Sequence, residues 1–238
     1  MELCGFILDD PGVLSERAID FLGAHAEKKA YDVGLTGDAL RRRLIDVFGP
    51  GQYDDVVSLV EHVQQRWGGL AYRSGLFDSP VIFSPMCDPE DADGPIEIDY
   101  AVASMSPAGA SISLDGGVLI GFDDVSVREF SSLDSVIECD AMFASVATSM
   151  PATEIFYDSS KSGDVDFVSR VRSSLGDSFD AISEASGENL EWFANEDSAV
   201  YACSTWSRML LGLPAYVRIW ATSDELVSSV QSKLADVL

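Results

Sequence analysis

The sequence predicts an α+β protein in which helices pack on an antiparallel sheet, with a second, smaller α+β part at the C-terminus. Three observations predict it. Two amphipathic helices with stop signals come early, within 36–49 and 53–67. Short apolar runs separated by turn residues fill the middle of the chain. After residue 150, strand-like runs and a terminal amphipathic helix recur. Helices and strands in separate runs, with no regular βαβ alternation, mark the α+β class. The segment MPAT (150–153) reads as the junction, giving domains 1–150 and 151–238.

Taken in order, 12–31 contains a first helix, with Ser15 as N-cap and Ala18, Phe21 and Leu22 at helical spacing. In TGDALRRRLIDVFG, Leu40, Leu44 and Phe48 share a face, Thr36 or Asp38 caps the start, and Gly49-Pro50 stops the helix. In YDDVVSLVEHVQQRWGG, Val56, Leu59, Val60, Val63 and Trp67 form one stripe. Asp54 and Asp55 sit in the first turn and Arg66 in the last, as the helix dipole favours. Gly68-Gly69 has neither the spacing nor the preceding strand of a phosphate-binding loop, so it reads as a helix stop before the strand LAYR. PVIFSP, EIDYAVASM and ASISLDGGVLIGF read as strands, the last a hairpin turning at Asp115-Gly116. A helix follows at about 134–148. DVDFVSRVRSSL reads as a helix, LEWFANED, SAVYACSTWS and LPAYVRIWATS as strands, and SDELVSSVQSKLADVL as a terminal helix capped by Ser223.

Charge is the dominant compositional feature. Of 238 residues, 40 are acidic and 15 basic, for a formal net charge of -25. The excess is uneven. Residues 76–160 hold 16 acids against Arg128 alone. Such a surface repels nucleic-acid phosphates and anionic membranes and attracts cationic partners. Adaptation to high salt would also favour acids, Asp over Glu (26 to 14) and few lysines, but it should acidify every face. No apolar run reaches the ~18 residues of a membrane span. MELCGFILDD lacks the basic start of a signal peptide, so the expected location is cytoplasmic.

Motifs for chemistry are sparse. Cys4, Cys87, Cys139 and Cys203 are scattered without metal-ligand spacing, and they read as free thiols. DPEDADG invites a calcium loop. Setting Gly94 at position six puts Pro89 at position one and Tyr100 at twelve, which cannot serve. No metal or cofactor is expected. The two histidines, His25 and His62, read as structural or surface residues, and no GxSxG is present. Arg41-Arg42-Arg43, flanked by Asp38 and Asp46, reads as a set of intramolecular pairs rather than a nucleic-acid patch. Trp67, Trp192, Trp206 and Trp220 read as core.

The order of elements carries a resemblance. Arg66, Trp67, Gly68, Gly69, Leu70 and Tyr72, then Asp115, Gly116, Val118, Ile120 and Gly121, resemble two short signatures of the SUKH (SMI1/KNR4-like) superfamily. The resemblance covers about residues 36–150. GPGQYDD stands where that family has a proline-containing helix start. Many bacterial proteins of this kind are immunity proteins against nuclease or deaminase toxins, so the resemblance implies a noncatalytic binder that occludes a toxin.

The acid excess leads independently to a compatible expectation. A nuclease needs a positive surface, and a carboxylate-rich partner can cover it and associate rapidly. The residues expected to contact such a basic toxin are Asp88, Glu90, Asp91, Asp93 and Glu97 in the acidic loop, with Asp123 and Asp124 after the hairpin. Two alternatives stand beside this reading. One is a DNA mimic that inhibits a nucleic-acid enzyme, marked by carboxylates spread along an elongated face. The other is an enzyme using a carboxylate pair, marked by a pocket with two converging acids, one of them desolvated.

Overall fold

The computed structural model describes residues 5–89, 97–103, 108–122, 125–158, 166–204 and 214–238. The fold is α+β, and the chain divides into two compact units, Met1–Asp124 and Val125–Leu238. The expected junction at 150 therefore lies inside the second unit. The reason is tertiary. The helix just before residue 150 packs its ring and thiol on strands some fifty residues later, and no local sequence signal announces that contact.

In the first unit, α1 (Glu16–His25) starts at Ser15, whose hydroxyl accepts from the Ala18 amide as its cap position predicts. α2 (Gly37–Phe48) buries Leu40 and Leu44 and ends at Gly49, whose φ of 86° only glycine adopts readily. α3 (Asp54–Trp67) buries Val56, Val57, Val60, Val63 and Trp67. The sheet follows in sequence order: β1 (Glu27–Lys28), β2 (Leu70–Ser74), β3 (Ser79–Met86), β4 (Glu97–Ala103), β5 (Ala108–Ser113) and β6 (Val118–Phe122), each antiparallel to the next. Val81, Phe83, Ile98, Ile112, Val118 and Ile120 are buried, and Phe21 of α1 meets the Tyr72 ring edge-on at 5.2 Å. In the β5–β6 hairpin, the Asp115 carboxylate accepts from the Gly117 amide (3.2 Å) and Gly116 takes a φ of 85°. The expected turn forms at the expected residues.

Gly68 and Gly69 do end α3, but a second requirement fixes them. A β-carbon on Gly68 would fall far inside contact distance of the Tyr31 hydroxyl and the Gln64 carbonyl. One on Gly69 would collide with the Lys29 carbonyl. Gly69 also has a φ of 83°, accepts from the Lys29 amide (2.7 Å) and donates to the Phe83 carbonyl (2.8 Å). The glycine pair thus lets the 27–31 segment close onto the start of β2.

Arg66 differs from its expected role. It does lie in the last turn of α3, but its side chain is buried. Its guanidinium donates to the carbonyls of Gly5 (3.3 Å), Asp10 and Pro11 (3.2 Å), fastening the N-terminal loop.

The second unit opens with β7 (Val125–Phe130) and α4 (Leu133–Ser149), the latter capped by Ser132. β8 (Ala152–Tyr157), α5 (Phe167–Leu175), β9 (Asp180–Ala181), β10 (Leu190–Ala194), β11 (Ser198–Cys203), β12 (Tyr216–Ala221) and α6 (Asp224–Lys233) follow. A five-stranded antiparallel sheet runs β8-β12-β11-β10-β9. Its side chains alternate between two apolar layers. Phe193, Val200, Ala202, Val217 and Ile219 join Phe167, Val171 and Leu175 of α5 and Val227 and Val230 of α6. On the other face, Phe143 of α4 lies 4.8 Å from the ring of Trp192 and 5.1 Å from that of Tyr201. The Trp192 indole donates to Cys139 Sγ at 3.4 Å. β1, β7, β8 and β9 are not among the elements expected from the sequence, and β1 falls within the stretch 12–31 read as helical, of which α1 takes only Glu16–His25. The other strands and helices match the expected ones to within a few residues.

The two positive-φ glycines should differ in what a methyl group costs. Gly116→Ala meets no neighbour within 4 Å and should lose about 1 kcal/mol through its positive φ alone. Gly69→Ala adds a backbone collision and should lose clearly more. Urea unfolding of both variants, followed by far-ultraviolet circular dichroism, measures the difference. Equal losses would mean that the Lys29 segment yields freely.

Candidate functional site

The acidic connection between β3 and β4 starts from a fixed point. β3 is followed by the buried Cys87 and the exposed Asp88. Leu40 and Leu44 face the core, which turns Arg43 outward on α2, and its Nε lies 2.9 Å from Asp88 Oδ1. The neighbouring arginines are also engaged. Arg41 bonds Asp54 (2.7 Å) and Asp38 (2.5 Å), and Arg42 Nε donates to the Asp38 carbonyl (3.2 Å). Asp54, and less strongly Asp38, holds the Arg41 guanidinium above its ordinary pKa. The basic run thus pairs within the molecule, as expected, and Asp88 acts as a tether.

Glu97 opens β4, paired with Ser113 of β5. Glu90, Asp91, Asp93, Asp123 and Asp124 lie outside the described residues. The strand ends leading to them are nevertheless informative. Glu97 stands at the Ser113 end of β5, the same end as the turn holding Asp115, whereas Phe122 of β6 pairs with Ala108 at the other end. Five residues of strand separate these ends, about 17 Å at the usual rise. The strand ends leading to the two groups of candidate acids therefore lie at opposite ends of β5.

The acidity of the middle segment also needs correction. Of its 16 acids, Glu129, Glu138, Asp140 and Asp158 are buried and contribute no open surface. Asp158 faces Arg170 at 3.9 Å, and the exposed Asp78 pairs with Arg73 at 2.8 Å. Part of the excess that composition assigned to a surface belongs to the interior.

Glu129 is one of these buried acids that sequence reasoning missed. Its carboxylate is fully buried on β7 and accepts from the Asn189 amide (2.9 Å) and the Asn189 Nδ2 (3.2 Å). Burial pushes its pKa up to about 7 against the opposing pull of these donors, with a smaller upward push from Glu188. One sequence signal could have found it. Val125, Val127 and Glu129 alternate along VSVREF, which places the carboxylate on the strand's apolar side. This enclosed carboxylate holds the turn at Asn189.

The remaining candidates fall into structural roles. His62 is half-buried and meets the Trp67 ring edge-on at 5.6 Å. Cys87, Cys139 and Cys203 are free and buried, and Trp67, Trp192 and Trp220 are core. Cys4 and Trp206 lie outside the described residues. A shallow cavity of about 190 Å³ between α6 and the β10–β11 turn is lined in part by Glu196, Asp197 and Lys233. Both carboxylates there are solvent-exposed, so neither is the desolvated partner that acid–base chemistry needs. Among the described residues there is no cluster of three or more His, Cys, Asp or Glu able to hold a metal, and no helix is long and apolar enough to cross a membrane. No family model, curated protein or solved structure matches the chain.

The Arg43–Asp88 pair is a surface pair, so its coupling should be small. A double-mutant cycle of Arg43→Ala and Asp88→Asn, read by urea unfolding, should give less than about 1 kcal/mol, falling with added salt. A coupling several times larger would make the tether part of the folding core.

Proposed function

We propose that the chain is an acidic, noncatalytic immunity-type protein that binds a basic toxin domain, a nuclease or deaminase, and masks its active surface inside the cytoplasm. The observation that carries this reading is the engagement of Arg41, Arg42 and Arg43 by the protein itself. The basic run presents no free patch to a phosphate backbone, because Asp38, Asp54 and Asp88, all exposed, hold Arg41 and Arg43. The resemblance of residues 36–150 to the SUKH superfamily supports the same reading. Asp88 serves this role by holding the start of the acidic connection through Arg43.

One observation favours the second reading, a DNA mimic. The strand ends leading to the two acid groups stand about 17 Å apart along β5, which suits an elongated partner face better than a compact one.

The test uses the full chain as bait at about 0.1 M and 0.5 M salt, where exposed charge attraction is progressively screened. One variant neutralises Asp88, Glu90, Asp91, Asp93 and Glu97 to Asn or Gln, and a second neutralises Asp123 and Asp124. The expected result is a single basic protein, retained at low salt by the native chain and released by the first variant. Expressed alone, that protein should arrest growth, and co-expression of the chain should restore it. Loss of binding in both variants, with a nucleic-acid enzyme retained, would favour the mimic. A capture profile identical for native chain and folded variants would overturn both readings.

A further inference from the structure

The two edges of the five-stranded sheet are unlike. β9 closes one side with only Asp180 and Ala181, a short, charged edge of the kind that resists further pairing. β8 closes the other with ATEIFY, which holds no lysine and no proline. Among the described residues of the second unit, the exposed large apolar side chains are Ile155 (42%) and Tyr157 (50%), and both stand on β8. The hydrogen-bonding direction along the strand is set at its end, where the Asp158 N–H donates to the Ala215 carbonyl (2.8 Å). Such pairs alternate in an antiparallel ladder, so Phe156 and Glu154 turn their main-chain groups toward Val217 and Ile219 of β12. Thr153, Ile155 and Tyr157 therefore turn theirs outward, away from the sheet.

We propose that β8 is a self-association edge, pairing antiparallel with β8 of a second copy about a two-fold axis at Ile155, so that two sheets join into one. Such an axis sets one residue opposite its own copy. With Ile155 there, Thr153 lies opposite Tyr157 of the second copy, and each outward-facing residue exchanges main-chain hydrogen bonds. Isoleucine meets isoleucine on one face of the sheet, with threonine against tyrosine beside it. On the other face Glu154 lies opposite Phe156 of the second copy. The neighbouring registers are worse. An axis at Glu154 sets two Glu154 carboxylates face to face and puts Tyr157 opposite Pro151, which has no N–H to donate. An axis at Phe156 sets Glu154 against Asp158 of the second copy. Like charges directly opposite destabilise a strand pair.

Charge also favours a second copy at this edge. Two chains of net charge -25 repel over most of their surfaces. At β8 the one acid, Glu154, is offset by Arg218 of β12, which stands beside Ile155 in register and donates from Nε to Thr153 Oγ1 (3.3 Å). Its guanidinium lies over the Trp220 ring at 4.5 Å, which keeps it on the sheet face rather than beyond the edge. The edge is thus locally neutral on an acidic molecule. Salt screens the repulsion between the copies, so this association should strengthen as salt is added, opposite to the capture of a basic partner.

Sedimentation equilibrium of the full chain at about 0.1 M and 0.5 M salt tests the pairing. The expected mass is twice the 25.6 kDa of one chain, with more dimer at the higher salt. Ile155→Lys changes an exposed side chain, so its far-ultraviolet dichroism should match the native chain. It sets two cations opposite each other and should raise the dimer dissociation constant at least about tenfold. Cross-linking reads the register. In a Cys4→Ser background the other cysteines are buried, and a short bis-maleimide should join Ile155→Cys chains, whose α-carbons pair at about 5.5 Å. It should not join Thr153→Cys chains, where the two copies of the residue stand about 14 Å apart along the strands. A monomer at both salts, a dimer indifferent to Ile155→Lys, or equal cross-linking at both positions would overturn the proposal. A monomer that loses a basic partner in Ile155→Lys would show that the edge takes a foreign strand, and it too would overturn self-pairing.

Discussion

Cations are scarce in this molecule, and their placement organises much of the structure. Fifteen Lys and Arg face forty acids, so most carboxylates must remain in water or find neutral donors. The cations that are ordered act mainly as fasteners. Arg66 ties the N-terminal loop to α3 through carbonyls, Arg43 holds the start of the β3–β4 connection, and Arg172 of α5 grips the buried Glu191 of β10. Where no cation is available, as at Glu129, amide hydrogens substitute, and they compensate burial only in part. The net charge therefore shapes the interior as well as the surface.

Local signals made much of the fold legible. Ser15 and Ser223 cap helices as expected, and each accepts from the amide three residues on. Asp115-Gly116 turns its hairpin, and the tryptophan stripe of α3 is core. What was illegible depends on distant partners. ATEIFY reads weakly as β8 because it is a sheet edge, with Ile155 and Tyr157 in solvent. The helix before residue 150 looks like the end of a domain until Phe143 is seen against Trp192 and Tyr201. Arg66 fits the dipole rule in sequence, yet its contacts are with Gly5, Asp10 and Pro11, more than fifty residues away.

The candidate site was less legible than the fold, for a physical reason. Charge counts along a chain do not distinguish solvent-facing acids from buried ones, and Glu138, Asp140 and Asp158 show the difference. Nor does adjacency in sequence give adjacency in space. Antiparallel β5 and β6 carry the chain back across the sheet, so Phe122 ends at the side opposite to Glu97.

The aromatic layer of the second unit has an optical consequence. Trp192 and Trp220 lie 5.3 Å apart with their rings nearly parallel at 29°, and Tyr201 is 5.0 Å from Trp192. Rings this close couple their electronic transitions and exchange excitation. Trp67 is the single tryptophan of the first unit. Near-ultraviolet dichroism therefore labels the second unit with a coupled-indole signature that the first cannot produce. The two halves of the chain carry separate intrinsic spectroscopic reporters.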